Sequence, residues 1–275
     1  MSHTVLIGKR FNDLYTHKLV KLTNGLENHN GYQFQTGLNV DSIPFNPKGE
    51  CRAGGIYFCS FEKLPLWLDY DIKPMIYARL VTIPHDALVW VELDKFKADR
   101  LILGQRQKIC DLEEWKDSSY CLEAVKQNGQ VLEYVIQQTE ELCLLAVKTN
   151  ALALQYVKEQ TEELCLKAVQ QDGSALVYVI KQTMELCLEA VKQDGIALEY
   201  VKEQTPNICL AAVKQNGFAL TYVTQQTPEL CLIAVKQNGC ALMFVRNQTD
   251  KICLAAITQN SSAVQYVVIH LDHLS

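Results

Sequence analysis

The sequence predicts an α+β N-terminal domain followed by an all-α solenoid of 22-residue two-helix repeats. Three observations carry that prediction. Over residues 117–270 the same 22 residues are written seven times without insertion or deletion, marked by Cys121, Cys143, Cys165, Cys187, Cys209, Cys231 and Cys253. An aromatic column (Tyr134, Tyr156, Tyr178, Tyr200, Tyr222, Phe244, Tyr266) and, from the second copy, a threonine column (Thr139, Thr161, Thr183, Thr205, Thr227, Thr249) keep step with the cysteines. Ahead of residue 110 the chain consists of short β-branched and aromatic runs separated by Pro, Gly and Asn. A strict period of this length belongs to a repeat array, and the change of pattern divides the chain into 1–112 (α+β), 117–270 (solenoid) and 271–275 (a tail).

In chain order, residues 1–13 hold the apolar patch Val5, Leu6 and Ile7, an edge strand or a loose arm. Alternation over 19–23 reads as a strand that Asn24-Gly25 breaks. The segment 27–37, ENHNGYQFQTG, is a polar loop whose Tyr32 and Phe34 are candidates for contact. Residues 41–55, with Pro44, Pro47, Gly49, Gly54 and Gly55, form a long loop. Strands return at 55–59, 75–83, 87–93 and 100–103, with a short helix at 62–68 starting near a Ser60 cap. The result is a mainly antiparallel sheet domain. Residues 111–115 form a first helical turn into the array.

Each repeat parses into two short helices. Thr is placed to cap the first, its hydroxyl accepting from a free N–H, and Glu, Asp, Pro206 or Pro228 suits the following position. Asn128-Gly129, Asp172-Gly173, Asp194-Gly195, Asn216-Gly217 and Asn238-Gly239 are read as supplying the left-handed residue that ends that helix. In the last copy Asn260-Ser261 and the HLDHLS tail read as an end cap. Helices this short are unstable alone in water, so stacking must hold them. The Gln before each Thr (Gln138, Gln160, Gln182, Gln204, Gln226, Gln248) repeats as strictly as the Cys and is expected to bond along the loops from copy to copy.

Composition narrows the function. Net charge is −5, and the array is the acidic part: residues 1–116 carry 15 basic against 14 acidic groups, 117–275 carry 11 against 17. Non-specific nucleic-acid binding requires a basic stripe, so it is not expected. No run of 18 apolar residues and no secretory signal is present, so the expectation is an intracellular, non-membrane protein. Seven of the eleven cysteines occupy one repeat position. Stacked helices lie about 10 Å apart, too far for disulfides, which want Cα atoms within about 7 Å, or for one zinc to gather four thiolates at about 2.3 Å. They read as a column of small buried hydrophobes in a reducing compartment, with no metal expected there or at Cys51 and Cys59.

The repeat core L-C-L-x-A-V-K-Q-N-G resembles a family of short helical repeats of unknown function in the giant DNA viruses that infect amoebae. The segments KLTN at 21–24, ENHNGYQFQTGLN at 27–39, PFNPKG at 44–49, GGIYF at 54–58 and DKFKAD at 94–99 are similar to the leader domain that precedes ankyrin-type repeats in the same viruses. These resemblances imply a viral protein acting in the host cytoplasm or the virion, without naming a reaction.

A strand ending in Thr, a loop, then GGIYF with a helix and a strand is also similar to the NAD-binding core of ADP-ribosyltransferase-like folds. That resemblance places Lys21 against the ribose, Tyr57 against the nicotinamide, and Glu92 or Asp99 at the acceptor; Lys21 departs from the His or Arg of that pattern. His29 and His85 have no visible carboxylate or nucleophile partner and read as turn or surface residues.

The leading expectation is a non-catalytic interaction protein without cofactor, NAD entering only in the transferase alternative. Two columns vary between copies, the residue after Gly and the one three positions on, on one face of the second helix. Leu152, Ile196, Phe218, Thr221 and Met243 are its candidate contacts to a host or viral protein. The remaining alternative is a structural spacer or virion component.

Overall fold

The computed structural model describes residues 4–29, 32–47, 53–68, 74–93 and 95–268, in two compact units, 1–137 and 138–275. Cys51 and the tail 271–275 lie outside the described residues.

The first unit is built on an eight-stranded sheet. Its strands are β1 (Thr4–Ile7), β2 (Leu19–Asn24), β5 (Gly37–Val40), β6 (Ile56–Ser60), β7 (Met75–Thr82), β8 (Leu88–Val91), β9 (Phe96–Ala98) and β10 (Arg100–Lys108), in the order β1-β8-β9-β6-β2-β7-β10-β5. Every ladder in it is antiparallel. The polar segment after Gly25 is not an open loop: β3 (Asn28–His29) and β4 (Tyr32–Gln33) pair as a hairpin. Tyr32 and Phe34 turn inward, 5.2 Å apart, with Phe34 buried in the core.

Three further readings are refined. The N-terminal patch is a strand on β8, followed by α1 (Gly8–Leu14). One buried aromatic, Phe11, anchors that helix by stacking on Tyr15 at 4.7 Å and meeting Phe96 edge-on at 5.1 Å. A seven-residue helix with a single large anchor leaves no periodicity to read. Strand β10 runs five residues beyond the expected stop, across a register shift between Leu103 and Arg106, because backbone pairing with β7 carries the polar GQRQK stretch. The segment Phe61–Trp67 is a 3-10 helix, and Ser60 precedes it without a side-chain cap bond. His85 lies exposed in the turn before β8.

The periodicity begins at residue 117, yet the first repeat belongs to the sheet unit by compactness. Its helix α2 (Ser118–Gln127) is capped by Asp117, which takes the place of Thr and accepts from Ser119 and Tyr120 N–H. It docks on the 3-10 segment: Gln127 Nε2 donates to Glu62 O at 3.0 Å and Asn128 Nδ2 to Pro65 O at 3.1 Å. Trp115 is buried between Tyr120 and Tyr134 and donates to Ile109 O at 2.7 Å.

The second unit stacks α3 (Glu140–Thr149), α4 (Glu162–Gln171), α5 (Met184–Gln193), α6 (Pro206–Gln215), α7 (Pro228–Gln237) and α8 (Asp250–Gln259). Each is capped by its Thr, whose Oγ1 accepts from the N–H three residues on. Leu or Ile, Ala and Val, spaced i, i+4 and i+5, face inward in α3 to α7, with the Cys beside the first of them. The second helix of each repeat is six residues of 3-10 helix, such as Gly217–Tyr222, which follows from a stretch too short for two α-turns.

The glycine between the helices has another role than the expected left-handed stop. Asn216 is extended (φ −145°, ψ 114°) and caps the 3-10 turn through Phe218 N–H, and Gly217 has no positive φ. What Gly217 supplies is space: a Cβ there would lie 2.6 Å from Ala234 O and 2.9 Å from Gln237 Oε1 of the next repeat. Gly217 N–H donates to that Gln237 oxygen at 2.7 Å, as Gly173, Gly195 and Gly239 do to Gln193, Gln215 and Gln259. The end cap expected of the last copy rests in part on the HLDHLS tail, residues 270–275, which lies outside the described residues. Leu254 is 67% exposed where Leu232, its equivalent one repeat earlier, is half-buried, and Val264 is exposed too.

Candidate functional site

Fixed and variable positions separate cleanly in the second unit. Each glutamine before a Thr reaches into the next repeat. Gln204 Nε2 donates to Tyr222 O at 2.8 Å, while its Oε1 accepts from Thr224 N at 3.0 Å and from the Cys209 thiol at 3.5 Å. The same set recurs at Gln138, Gln160, Gln182, Gln226 and Gln248. The cysteines are therefore small apolar fillers whose S–H also satisfies the ladder oxygen, and burial raises their pKa above the ordinary thiol value, which keeps them protonated and unreactive. Among the described residues no three His, Cys, Asp or Glu side chains are placed to hold a metal ion.

The two variable columns are not equivalent. Leu152, Ile196 and Phe218, directly after the glycine position, are half-buried. Phe218 packs edge-on against Phe244 of the next repeat at 5.9 Å. The column three residues on (Gln155, Val177, Glu199, Thr221, Met243, Gln265) is exposed, Val177 at 46% and Met243 at 51%. Beside it runs the half-buried aromatic column from Tyr156 to Tyr266. A rigid rail of aromatic edges next to freely varied side chains is suited to protein contact, because Tyr presents large amphipathic area at low entropic cost.

In the sheet unit, Lys21 and Tyr57 line one apolar cleft together with Phe34, Cys59, Trp67 and Lys95. Glu92 and Asp99 do not line it. Glu92 accepts from Trp90 Nε1 at 3.2 Å and pairs with Lys95 at 3.4 Å. Asp99 accepts from Leu88 N at 2.8 Å and from Arg100 Nε at 3.1 Å, which pins the β8 turn.

The glycines of GGIYF also have a structural cause. Gly55, at φ 132°, sits where a Cβ would lie 2.9 Å from the stem of Lys97. That lysine is fully buried, donates to Asn46 O at 2.9 Å and approaches the Tyr57 ring at 5.0 Å. Lys95 reaches the same ring at 5.1 Å. The two cations around Tyr57 carried no sequence signal, since Lys in a charged stretch reads as solvated surface. Among the described residues no helix is long and apolar enough to cross a membrane.

Comparison with known proteins places this architecture. A family described as a domain of unknown function (DUF4116) matches residues 139–182, 161–205, 183–227 and 205–249, successive windows of two repeats each. The uncharacterized protein R869 of Acanthamoeba polyphaga mimivirus is 35% identical over 107 residues, covering 37% of this chain and 75% of that protein. Two putative ankyrin repeat proteins of the same virus are also similar. R229 is 35% identical over 103 residues (34% of this chain, 32% of that protein), and R868 is 29% identical over 123 (42% and 57%). The chain thus spans less than two thirds of either ankyrin-type relative. No solved structure matches. With the repeat family tiled over 139–249 and three quarters of a 35%-identical mimivirus protein covered, the chain belongs to a giant-virus family of repeat proteins of unknown function.

Proposed function

We propose that the protein is a non-catalytic interaction protein that binds a protein of the infected host, or of the virus itself, along the exposed column Val177, Glu199, Thr221 and Met243 and the tyrosines beside it. The observation that carries this reading is the division of labour inside each repeat. Cys, Ala, Val and Gln are fixed and engaged in stacking and Thr in capping, whereas the residue five positions after the 3-10 cap is exposed and changes from copy to copy. The description of two relatives as putative ankyrin repeat proteins supports it. A spacer needs no exposed apolar groups, yet Val177, Ile180, Met184 and Met243 are all exposed. Leu152, Ile196 and Phe218 join the face only through their uncovered edges.

The test compares three chains by cross-linked capture from infected amoebae: the intact chain, a variant with Val177→Ser, Thr221→Lys and Met243→Lys, and a control with Lys214→Ser and Lys236→Ser at the helix ends. Capture of the same partner by the intact and control chains, with at least about tenfold loss in the face variant, is expected. Equal capture by all three refutes the face.

The transferase alternative is favoured by one observation, that Lys21 and Tyr57 share a cleft. A rise in melting temperature with NAD that is lost in Tyr57→Ala supports it, and no NAD effect retires it.

A further inference from the structure

Strands β2 and β6 pair over only two positions, Leu19 with Ser60 and Val20 with Cys59. Beyond them β2 continues along β7 as far as Asn24, and β6 along β9 through Ile56–Phe58. The edge of β2 from Lys21 onward and the edge of β6 at Tyr57 and Phe58 therefore have no ladder with each other. The cleft fills this split in the sheet. It is partly open to solvent, with a cavity of about 70 Å³, space for several waters, so a ring would be enclosed only in part.

Its chemistry is lopsided. Two ammonium groups, Lys21 and Lys95, line it, and no carboxylate is among the described residues that do. Lys95 is already neutralised by Glu92 at 3.4 Å. The Lys21 ammonium has no hydrogen-bond or ion-pair partner among the described residues and stands 4.9 Å from the Phe34 ring centroid. A lysine on a central strand that faces a mostly apolar cleft without a counter-charge is costly to maintain. Burial accordingly lowers its pKa to about 8, the direction expected of an ammonium short of an anion. The neighbouring Cys59 thiol, pushed up to about 12, supplies no charge. Phe34, Tyr57 and Trp67 give the cleft aromatic walls.

We propose that this split binds a small planar aromatic acid, with its carboxylate ion-paired to Lys21 Nζ and its ring against Phe34, Tyr57 and Trp67. One unpartnered ammonium matches the single charge of a carboxylate. A phosphate dianion would need a second free donor, and Lys95 is committed to Glu92. The site is independent of the solenoid face, so the two stand or fall separately.

Benzoate is the probe, titrated into the full-length chain by calorimetry or by NMR shift mapping, beside benzamide, which has the same shape without the charge. Benzoate is expected to bind at least about tenfold more tightly than benzamide, and Lys21→Met to lose at least about tenfold of the benzoate affinity. Cyclohexanecarboxylate is expected to bind more weakly than benzoate because it is not planar. Equal binding of benzoate and benzamide to the intact chain overturns the proposal whether or not the variant folds. So does undiminished benzoate binding to a folded Lys21→Met chain, or no benzoate binding at all.

Discussion

Replacing Arg79 by Met is expected to destabilise the sheet unit by about 3–5 kcal/mol, the penalty for leaving a buried charge without its partner. Glu27 and Arg79 are 7% and 4% exposed and meet through two bonds, Nε to Oε1 at 2.7 Å and Nη2 to Oε2 at 2.9 Å. The guanidinium also donates to Thr36 Oγ1 at 3.0 Å and Gly104 O at 2.7 Å, and Thr23 Oγ1 donates to Glu27 at 3.3 Å. Four of the five guanidinium N–H donors and both carboxylate oxygens are engaged, Arg106 also pairing with Glu27 at 3.5 Å, and such satisfaction is what makes a buried ion pair tolerable.

The bonds from Arg79 hold the Glu27 carboxyl below its ordinary value of 4.5. A carboxyl whose folded pKa is depressed contributes stability that is complete above the unfolded value and is lost as pH falls through the folded one. Acid should therefore weaken the intact chain more than Glu27→Gln: the advantage of the intact chain is full and constant at neutral pH and shrinks as pH falls below 4.5 through the folded value. All three tryptophans, Trp67, Trp90 and Trp115, lie in this unit, so fluorescence in urea reads it apart from the six repeats of the second unit. Removing both charges, Glu27→Met with Arg79→Met, should cost less than Arg79→Met alone. A double variant as damaged as the sum of the singles would show that the two do not act as a pair.

The second large effect belongs to the glutamine ladder. Gln204→Leu should cost about 1–3 kcal/mol, because it strands Tyr222 O and Thr224 N at the joint between repeats while conserving bulk. Gln204→Glu is the sharper case. It keeps the acceptor for Thr224 N–H but turns a second oxygen toward Tyr222 O, 2.8 Å from the atom it replaces, so it should be at least as damaging as Leu. Because neighbouring repeats hold one another, the loss should appear in urea unfolding followed by circular dichroism as weakened cooperativity at that joint. A fully stable Gln204→Glu chain would mean that the amide does not bridge repeats.

What the sequence revealed of the fold follows from how each feature is encoded. Thr caps, the Cys and Ala columns and the ladder glutamines act over one or two repeats, and repetition displays such local chemistry six or seven times over. The glycine at 217 misled for a physical reason. A left-handed turn and a close approach to the next backbone both require the absence of Cβ, and only the neighbour's position, 2.6 Å from the missing atom to Ala234 O, tells them apart. The 3-10 form of the second helix was hidden likewise, since Ala219, Leu220, Tyr222 and Val223 suit either helix.

In the sheet unit the deciding contacts are remote in sequence. Glu27 and Arg79 are 52 residues apart, and the split between β2 and β6 depends on where two ladders end. The pairing of Lys21 with Tyr57 in one cleft was anticipated only through resemblance. Glu92 and Asp99, by contrast, are engaged by near neighbours, Trp90 and Lys95 for the first and Arg100 for the second. On the solenoid, periodicity identified the variable columns but not their unequal burial, because Phe218 is covered by Phe244 from the following repeat.

The measurement that bears most directly on the central claim is amide hydrogen exchange of the intact chain with and without the partner it captures. Protection concentrated in the 3-10 segments Gly173–Tyr178, Gly195–Tyr200, Gly217–Tyr222 and Gly239–Phe244 is the expected result. Protection confined to the sheet strands, or to helices α3 to α8 with those segments unchanged, would contradict it.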